Sequence, residues 1–197
     1  MAHTPLTTAS VIAEAAALAD EDGFEAVTLS AVARRLGVRT PSLYSHVRDR
    51  DALLDGVSAL ALADLAARIV EGIAGRAGRE ALEGFAAAHR AYALESPGRW
   101  TSLQRRVGET AVRSDAAREV VALTAAVLRG YPVPADEHVH AVRVLGSTLN
   151  GFLALERVGG FDHSHPGPEV SWHKTVAALD ALLRAWPAES GKDTTAP

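Results

Sequence analysis

Apolar residues recur along this chain at the three- and four-residue intervals of an α-helix. In the first such segment, from about Thr8 to Asp22, they form one stripe along a single face, and Gly23 ends the segment. No segment alternates apolar and polar residues as a half-buried strand does. After the N-terminal region, further helices are predicted at 79–95, 98–107, 113–129, 134–158 and 171–186. The pattern therefore predicts an all-α protein.

Two short helices lie between the first helix and a long one predicted at 49–73. Thr28 is a suitable N-cap for the first of them, and a tight turn at 37–39 ends it. Thr40 is predicted to cap the second, with Pro41 at its first position, where the missing N–H costs nothing. Leu43 and Val47 are one turn apart and face inward, which leaves the polar side chains of this helix facing outward.

Two short helices joined by a glycine-containing turn are typical of a helix-turn-helix, whose second helix enters the major groove of DNA. The outward side chains of the second helix donate and accept hydrogen bonds but carry no charge, as expected of groups that read base edges. Arginines flank this helix, where contacts with phosphates would fix its register. The predicted DNA-binding residues are Thr28, Arg39, Thr40, Pro41, Ser42, Tyr44, Ser45, His46 and Arg50.

The charge distribution supports a local nucleic-acid contact. The chain carries a net charge of −4, yet the segment 28–50 holds five arginines and one aspartate. A basic island on an acidic protein indicates a confined footprint rather than general affinity for nucleic acid. The alternatives are that these arginines only solvate a helix face, and that the helix pair is a plain packing unit.

The N-terminal run TTASVIAEAAALADEDGFEAVTLSAVARRLGVRTPSLYSHVRDRDALLDGV resembles the DNA-binding domain of the tetracycline-repressor (TetR) family. The resemblance implies a three-helix head on an all-helical body, with the helix at 40–46 in the major groove. Two positions depart from the family pattern: Val47 replaces a common aromatic residue, and Arg50 stands where lysine is usual. The segments AYALESPGRW and HAVRVLGSTLNGFLALERVGGF are similar to one C-terminal class of the family. Bodies of that class dimerise through their last two helices and hold a small-molecule cavity.

The residues of the last two helices are consistent with such a dimer. The helix at 134–158 is apolar nearly all round, which is expected of a helix buried both in its own core and against a partner. Burial of both helices inside one chain is the alternative. The predicted interface residues are Val142, Leu145, Leu149, Phe152, Val176, Leu179, Leu183 and Trp186.

Aromatic and polar residues in the middle of the chain are candidates for an effector cavity, which is typically apolar with a few polar groups. Asn150 is included because Arg143, Ser147 and Asn150 form a polar line on an otherwise apolar helix. A plain aromatic core is the alternative. The predicted ligand-binding residues are Phe85, His89, Tyr92, Trp100, Leu103, Gln104 and Asn150.

Other classes of protein find little support. The sequence has no cysteine, no signal peptide and no apolar run long enough to span a membrane, so a cytoplasmic protein is expected. Glu137 and His140 have the spacing of half a di-metal site, but no second copy exists, and His163 and His165 give a two-ligand fragment only. We therefore expect no catalytic residue, no metal and no cofactor. A helical adaptor that binds a protein partner is the chief alternative.

Together these patterns predict a homodimeric, ligand-responsive transcriptional regulator, in the form of a repressor that binds a pseudo-palindromic operator. Its expected partners are double-stranded operator DNA, a second copy of the chain and a small-molecule effector. The predicted organisation is a DNA-binding domain at 1–50, an effector-binding and dimerisation domain at 51–187, and a disordered tail at 188–197.

Overall fold

The computed structural model describes residues 6–105 and 113–187. The described residues contain helices and no strand, so the predicted all-α fold is confirmed. Eight α-helices are described in this part of the chain: α1 (Thr8–Asp22), α2 (Leu29–Arg35), α3 (Arg50–Ile73), α4 (Gly78–Glu95), α5 (Pro97–Ser102), α6 (Asp115–Leu128), α7 (His138–Arg157) and α8 (Pro168–Arg184). Three 3-10 helices lie between them, at Phe24–Ala26, Thr40–Ser45 and Ala135–Glu137.

Capping residues explain where the N-terminal helices begin and end. Thr7 and Ser10 form a capping box at the start of α1, and Gly23, with a φ of 92°, ends that helix as predicted. Asp49 precedes α3, and its carboxylate accepts the Ala52 backbone N–H at 2.8 Å. Arg48 donates to the same carboxylate, and this bond and the one from Ala52 hold the pKa of Asp49 below its usual value.

The largest differences between predicted and observed helix bounds concern two helices. The helix expected at 98–107 is α5, which ends at Ser102, and residues 106 and 107 lie outside the described part. The helix expected to begin at Pro134 starts instead with a 3-10 turn, and α7 itself begins at His138. The tail predicted to be disordered, 188–197, also lies outside the described residues.

The chain folds into two compact units. The first comprises residues 1–71 and 88–121, and the second comprises residues 72–87 and 122–197. The N-terminal part of the first unit has a core in which α1, α2 and α3 each contribute apolar side chains. Its most buried members are Val11, Ala15, Ala19, Val27, Val32, Leu43, Leu53 and Val57.

Within the first unit, the short helix α5 is fastened to both α1 and α3. The Arg99 backbone N–H and its Nε donate to the Asp20 carboxylate at 2.8 and 2.6 Å, and its guanidinium also reaches Asp64 on α3. A methyl group at Gly98 would overlap the Ala19 carbonyl, so only glycine permits this approach to α1. The Ser58 hydroxyl, fully buried on α3, lies 3.1 Å from the Ser102 carbonyl oxygen.

In the second unit, aromatic contacts and one buried carboxylate hold α7 and α8 in place. The Phe152 ring on α7 lies 4.9 Å from that of Phe161 and 5.2 Å from that of Trp172 on α8. The buried Asp180 carboxylate accepts hydrogen bonds from the Tyr131 hydroxyl at 2.8 Å and from Arg184 at 3.0 Å. Burial opposes its ionisation, but these two donors outweigh burial and lower the pKa of Asp180.

Candidate nucleic-acid interface

The turn between α2 and the following 3-10 helix sets the geometry of the candidate interface. The Thr28 hydroxyl accepts the Ala31 N–H at 3.1 Å and so caps α2. Gly37 adopts a φ of 67°, in the left-handed region that favours glycine, and the Val38 N–H donates back to the Ala33 carbonyl at 3.0 Å. The chain therefore reverses sharply after α2, as in a helix-turn-helix.

The segment predicted to enter the major groove is a 3-10 helix, Thr40–Ser45, rather than an α-helix. Arg39 occupies its N-cap position, so the prediction that Thr40 caps this helix was wrong. Thr40 is instead its first residue, followed by Pro41, whose fixed φ suits the start of a helix.

The two faces of this segment differ sharply in exposure. Leu43 is fully buried and Val47 is 6% exposed, in agreement with the predicted inward face. Tyr44 is 56% exposed, and Pro41, Ser42 and Ser45 are exposed as well. His46 is half-buried, with its backbone carbonyl accepting the Thr8 hydroxyl at 3.2 Å. The core thus presents the polar side chains of this segment outward.

The hydroxyl groups of this face differ in their availability for DNA. The Ser45 hydroxyl donates to the Ser42 carbonyl at 2.9 Å, so Ser45 is left with its acceptor function. The described residues provide no hydrogen-bond partner for the hydroxyl groups of Ser42 and Tyr44. These two side chains can both donate to and accept from base edges.

The basic island predicted at 28–50 is partly neutralised inside the protein. Arg35 pairs with Glu14 and Glu21 of α1, at 2.6 Å in the case of Glu21, and this hydrogen bond and charge lower the pKa of the Glu21 carboxyl. Arg48 pairs with Asp49 at 2.7 Å. Arg35 therefore braces α2 against α1, and neither arginine is a free cation for phosphate.

Arg34 and Arg39 are exposed, and their guanidinium groups have no partner within the described part of the chain. Arg50, predicted to contact phosphate, donates through Nε to the Val27 carbonyl at 2.9 Å. Its side chain therefore also holds the chain that leads into α2, a structural role that the sequence did not reveal. The remaining guanidinium N–H groups of Arg50 are still suited to a phosphate contact.

The predicted effector residues are divided between the two units. His89, Tyr92, Trp100, Leu103 and Gln104 belong to the first unit, while Phe85 and Asn150 belong to the second. Phe85, His89, Tyr92 and Trp100 are buried, Leu103 and Asn150 are half-buried, and Gln104 is exposed. The described structure thus does not bring all seven into one unit.

Tyr92 is the most distinctive of these residues. It is fully buried on α4, and its hydroxyl has no hydrogen-bond partner within the described part of the chain. The guanidinium carbons of Arg68 and Arg99 lie 5.3 and 6.0 Å from its ring centroid, within cation–π range. Burial raises the pKa of this hydroxyl, so it is a neutral donor at physiological pH.

Most of the residues predicted at the dimer interface are buried within a single chain. Leu145, Leu149, Val176, Leu179 and Leu183 are each at most 6% exposed within a single chain. Val142, Phe152 and Trp186 are half-buried. Apolar periodicity alone does not separate an internal core from an interface.

The outward face of α7 and α8 carries large apolar side chains among charged and polar ones. Val158 is 79% exposed, and four other large apolar side chains on these helices are well exposed. Arg143 and Ser147, predicted to form a buried polar line, lie on the exposed side of α7. The exposed apolar residues of this face are Val139, Leu155, Val158, Val170 and Leu182.

A short capped helix, a left-handed glycine turn and an outward polar segment anchored by Leu43 define a helix-turn-helix DNA-binding protein with an all-helical body. Residues 11–57 match the family described as bacterial regulatory proteins, tetR family. Residues 82–179 match the family described as tetracyclin repressor-like, C-terminal domain. The chain belongs to the tetR family of helix-turn-helix transcriptional regulators.

Two curated relatives support this assignment over most of their length. The uncharacterized HTH-type transcriptional regulator Rv0681 of Mycobacterium tuberculosis is 31% identical over 159 residues, which cover 80% of this chain and 73% of the relative. The uncharacterized HTH-type transcriptional regulator YobS of Bacillus subtilis is 30% identical, with 76% and 78% of the two chains covered.

Solved structures share the fold. BioQ of Mycobacterium smegmatis superposes with a TM-score of 0.71 at 20% identity, over 91% of this chain and 99% of that one. A TetR variant of Acinetobacter baumannii AYE, solved in complex with minocycline, gives a TM-score of 0.68 at 25% identity, over 93% and 100%.

No helix in residues 6–105 and 113–187 is long and apolar enough to cross a membrane. The same residues contain no group of three or more His, Asp and Glu side chains arranged to hold a metal ion.

Proposed function

We propose that this protein is a ligand-responsive repressor that binds a pseudo-palindromic operator as a homodimer. The observation that carries the proposal is the segment Thr40–Ser45, whose polar side chains are exposed while Leu43 anchors it in the core. Its charge is low, so affinity for DNA would come from neighbouring arginines and sequence preference from the segment itself. The functional division stays as predicted, with DNA binding at 1–50 and effector binding and dimerisation at 51–187.

In the proposed complex, Ser42 and Tyr44 contact base edges, and Arg39 contacts phosphate from the N-terminal side of the segment. Pro41, Ser45 and His46 complete the surface that lies in the groove, while Thr28, Thr40 and Arg50 approach the phosphates around it. This assignment is supported by the unpartnered guanidinium of Arg39 and by the exposure of Tyr44. Two such heads, about one turn of B-DNA apart (~34 Å), would read the two halves of the operator.

Dimerisation is assigned to the outward face of α7 and α8. Large apolar side chains that are 39–79% exposed cost free energy in water, and a second copy of the same face would cover them. This face replaces the inward stripes as the proposed interface. Val142 and Phe152 are half-buried, and Trp186, whose buried indole N–H has no partner within the described residues, lies beyond the end of α8.

The effector site is placed in the first unit, around Tyr92. A buried hydroxyl without a partner is costly, and a polar group on a ligand would satisfy it. Trp100 lies on α5 directly after Arg99, the residue that ties this helix to α1. An effector that displaces Trp100 would therefore act on the same short helix that touches the DNA-binding head, and so change operator affinity.

Binding of the full-length protein to the DNA upstream of its own gene tests the proposal. We expect a sequence-specific complex that unlabelled operator displaces more effectively than unrelated DNA. Affinity should fall steeply with salt, because phosphate contacts release counterions. A folded dimer that gives no complex with this DNA at low salt would contradict the proposal and favour the adaptor alternative. Equal operator affinity with and without a bound effector would contradict only the ligand response.

A further inference from the structure

The second unit contains a cleft that none of the residues assigned above to effector or DNA binding lines. It has a volume of about 380 Å³, within the range of small-molecule sites. One wall comes from the connector after α3 and the first half of α4, and the other from α8. Val176, which the sequence placed at a dimer interface, lines this cleft instead.

Close backbone packing forms the first wall. A methyl group at Gly84 would overlap the Gly72 carbonyl, so the end of α3 lies directly against α4 at this point. The connector then carries Arg76 across α4, where its Nη1 lies 3.0 Å from the position that a Cβ of Gly84 would occupy. The absence of a side chain at Gly84 thus leaves room for the Arg76 guanidinium at the cleft.

The cleft has one uncommitted positive charge. Arg79 pairs with Glu83 at 2.8 Å, and His173 pairs with Glu169 at 2.9 Å, so these groups already have partners. The Arg76 guanidinium has no hydrogen bond or ion pair within the described part of the chain. A planar guanidinium presents a fork of N–H donors that matches a carboxylate.

Apolar side chains line the cleft beside these charged and polar groups. Trp172 and Val176, each at most 6% exposed, form its floor, and Ala87 lies at its margin. A fully hydrated ion such as phosphate would gain nothing from these side chains, whereas an aryl group would bury apolar surface against them. A cation would be repelled by Arg76. The lining therefore favours a monoanion with an apolar body.

From this arrangement we infer that the cleft is a second small-molecule site, which binds an aryl or short acyl carboxylate with its carboxylate on Arg76 and its apolar part on Trp172 and Val176. The inference does not depend on operator binding or on the effector site around Tyr92.

Titration of the full-length protein with phenylacetate, followed by NMR of the indole N–H groups, tests the site. The chain has three tryptophans, so the signal of Trp172 can be assigned with the variant Trp172→Phe. We expect phenylacetate to shift the Trp172 signal in a saturable way, and the neutral amide phenylacetamide to bind far more weakly. No saturable shift at millimolar phenylacetate, or equal binding of the amide, would overturn the inference.

Two variants assign the site to these residues. Arg76→Gln should lower the affinity for phenylacetate about tenfold or more, as expected for loss of a charge-assisted hydrogen bond. Arg129→Gln removes an exposed arginine of the same unit outside the cleft and should leave the affinity unchanged. Ala87→Leu fills the margin of the cleft at an exposed helical position and should also abolish binding without affecting folding. Unchanged binding in Arg76→Gln would refute the inference, as would phenylacetate binding that moves signals other than that of Trp172.

Discussion

Individual side chains of the candidate interface divide into groups committed to the protein and groups left for DNA. Arg35 and Arg48 are paired with carboxylates, and Arg50 donates to a backbone carbonyl, whereas Arg39 and Tyr44 are exposed without partners. The number of arginines in the sequence therefore overstates the charge available to phosphate. At this scale, roles in binding follow from what each side chain already contacts.

Substitution of Tyr44 and of Arg39 should have different effects on DNA binding. Tyr44→Ala should alter preference at particular base pairs, by about 1–3 kcal/mol for each well-made contact that is lost. Arg39→Gln should weaken binding to all DNA sequences alike. Because one phosphate contact is removed, it should also reduce the slope of log affinity against log salt by about 0.9. Affinities measured over a salt series on an operator and its single-base variants test both. Equal loss on all sequences in Tyr44→Ala would assign Tyr44 to phosphate contact instead.

The sequence predicted the inward and outward faces of this segment correctly, because Leu43 and Val47 alone among these residues are apolar and one turn apart. It did not predict that Arg50 holds Val27, or that Arg39 occupies the N-cap position. The Arg50 contact depends on the path of the backbone between residues far apart, and the N-cap depends on turn geometry. Neither feature produces a periodic pattern in the sequence.

At the scale of elements, α5 is the most tightly constrained segment of the first unit. Six residues long, it could not persist as an isolated helix, and contacts with α1 and α3 hold it. The sequence predicted a helix in this region but not its partners, since Asp20 and Arg99 are 79 residues apart. Helical periodicity shows which face of a helix is buried, but it does not identify the element against which that face packs.

Removal of the Arg99 side chain should weaken the contacts of α5 with α1 and α3. Arg99→Gln deprives Asp20 and Asp64 of a charged donor at a part-buried site, and should lower the free energy of unfolding by about 1–3 kcal/mol. If α5 carries the response to the effector, the same variant should reduce the difference in operator affinity between bound and free protein. Urea denaturation and operator titration measure the two effects.

Arg79→Gln is a suitable control for the stability measurement, because it breaks an exposed ion pair within one helix and should change stability little. Equal stability of Arg99→Gln and the wild-type protein would show that the ion pairs of Arg99 contribute nothing to the stability of the fold.

For the whole molecule, the distribution of exposed apolar area decides how two copies meet. Five of the large apolar side chains that are exposed in the described residues lie on α7, α8 or the residue after α7. The sequence marked these two helices as unusually apolar, and five of the eight residues that it predicted at the interface are buried within one chain. Only the three-dimensional packing separates the two faces, since both recur at helical intervals.

Leu155→Arg and Leu182→Arg should disrupt the proposed dimer. A charge placed in a buried apolar interface should raise the dissociation constant about thirtyfold or more, which corresponds to a loss of about 2 kcal/mol. Val121→Arg, at an apolar residue of α6 that is 63% exposed, is the matched control and should leave the dimer intact. Sedimentation velocity over a concentration series distinguishes the three variants. The assignment of this face is wrong if all three remain equally dimeric.

The close contact between Gly98 and α1 has a consequence for comparing regulators of this family by sequence. A relative that carries any larger residue at the corresponding position has no room for this contact, so its equivalent of α5 has to lie farther from α1. The residue at this one alignment position therefore separates relatives that can pack α5 closely on α1 from relatives that must pack these two helices differently.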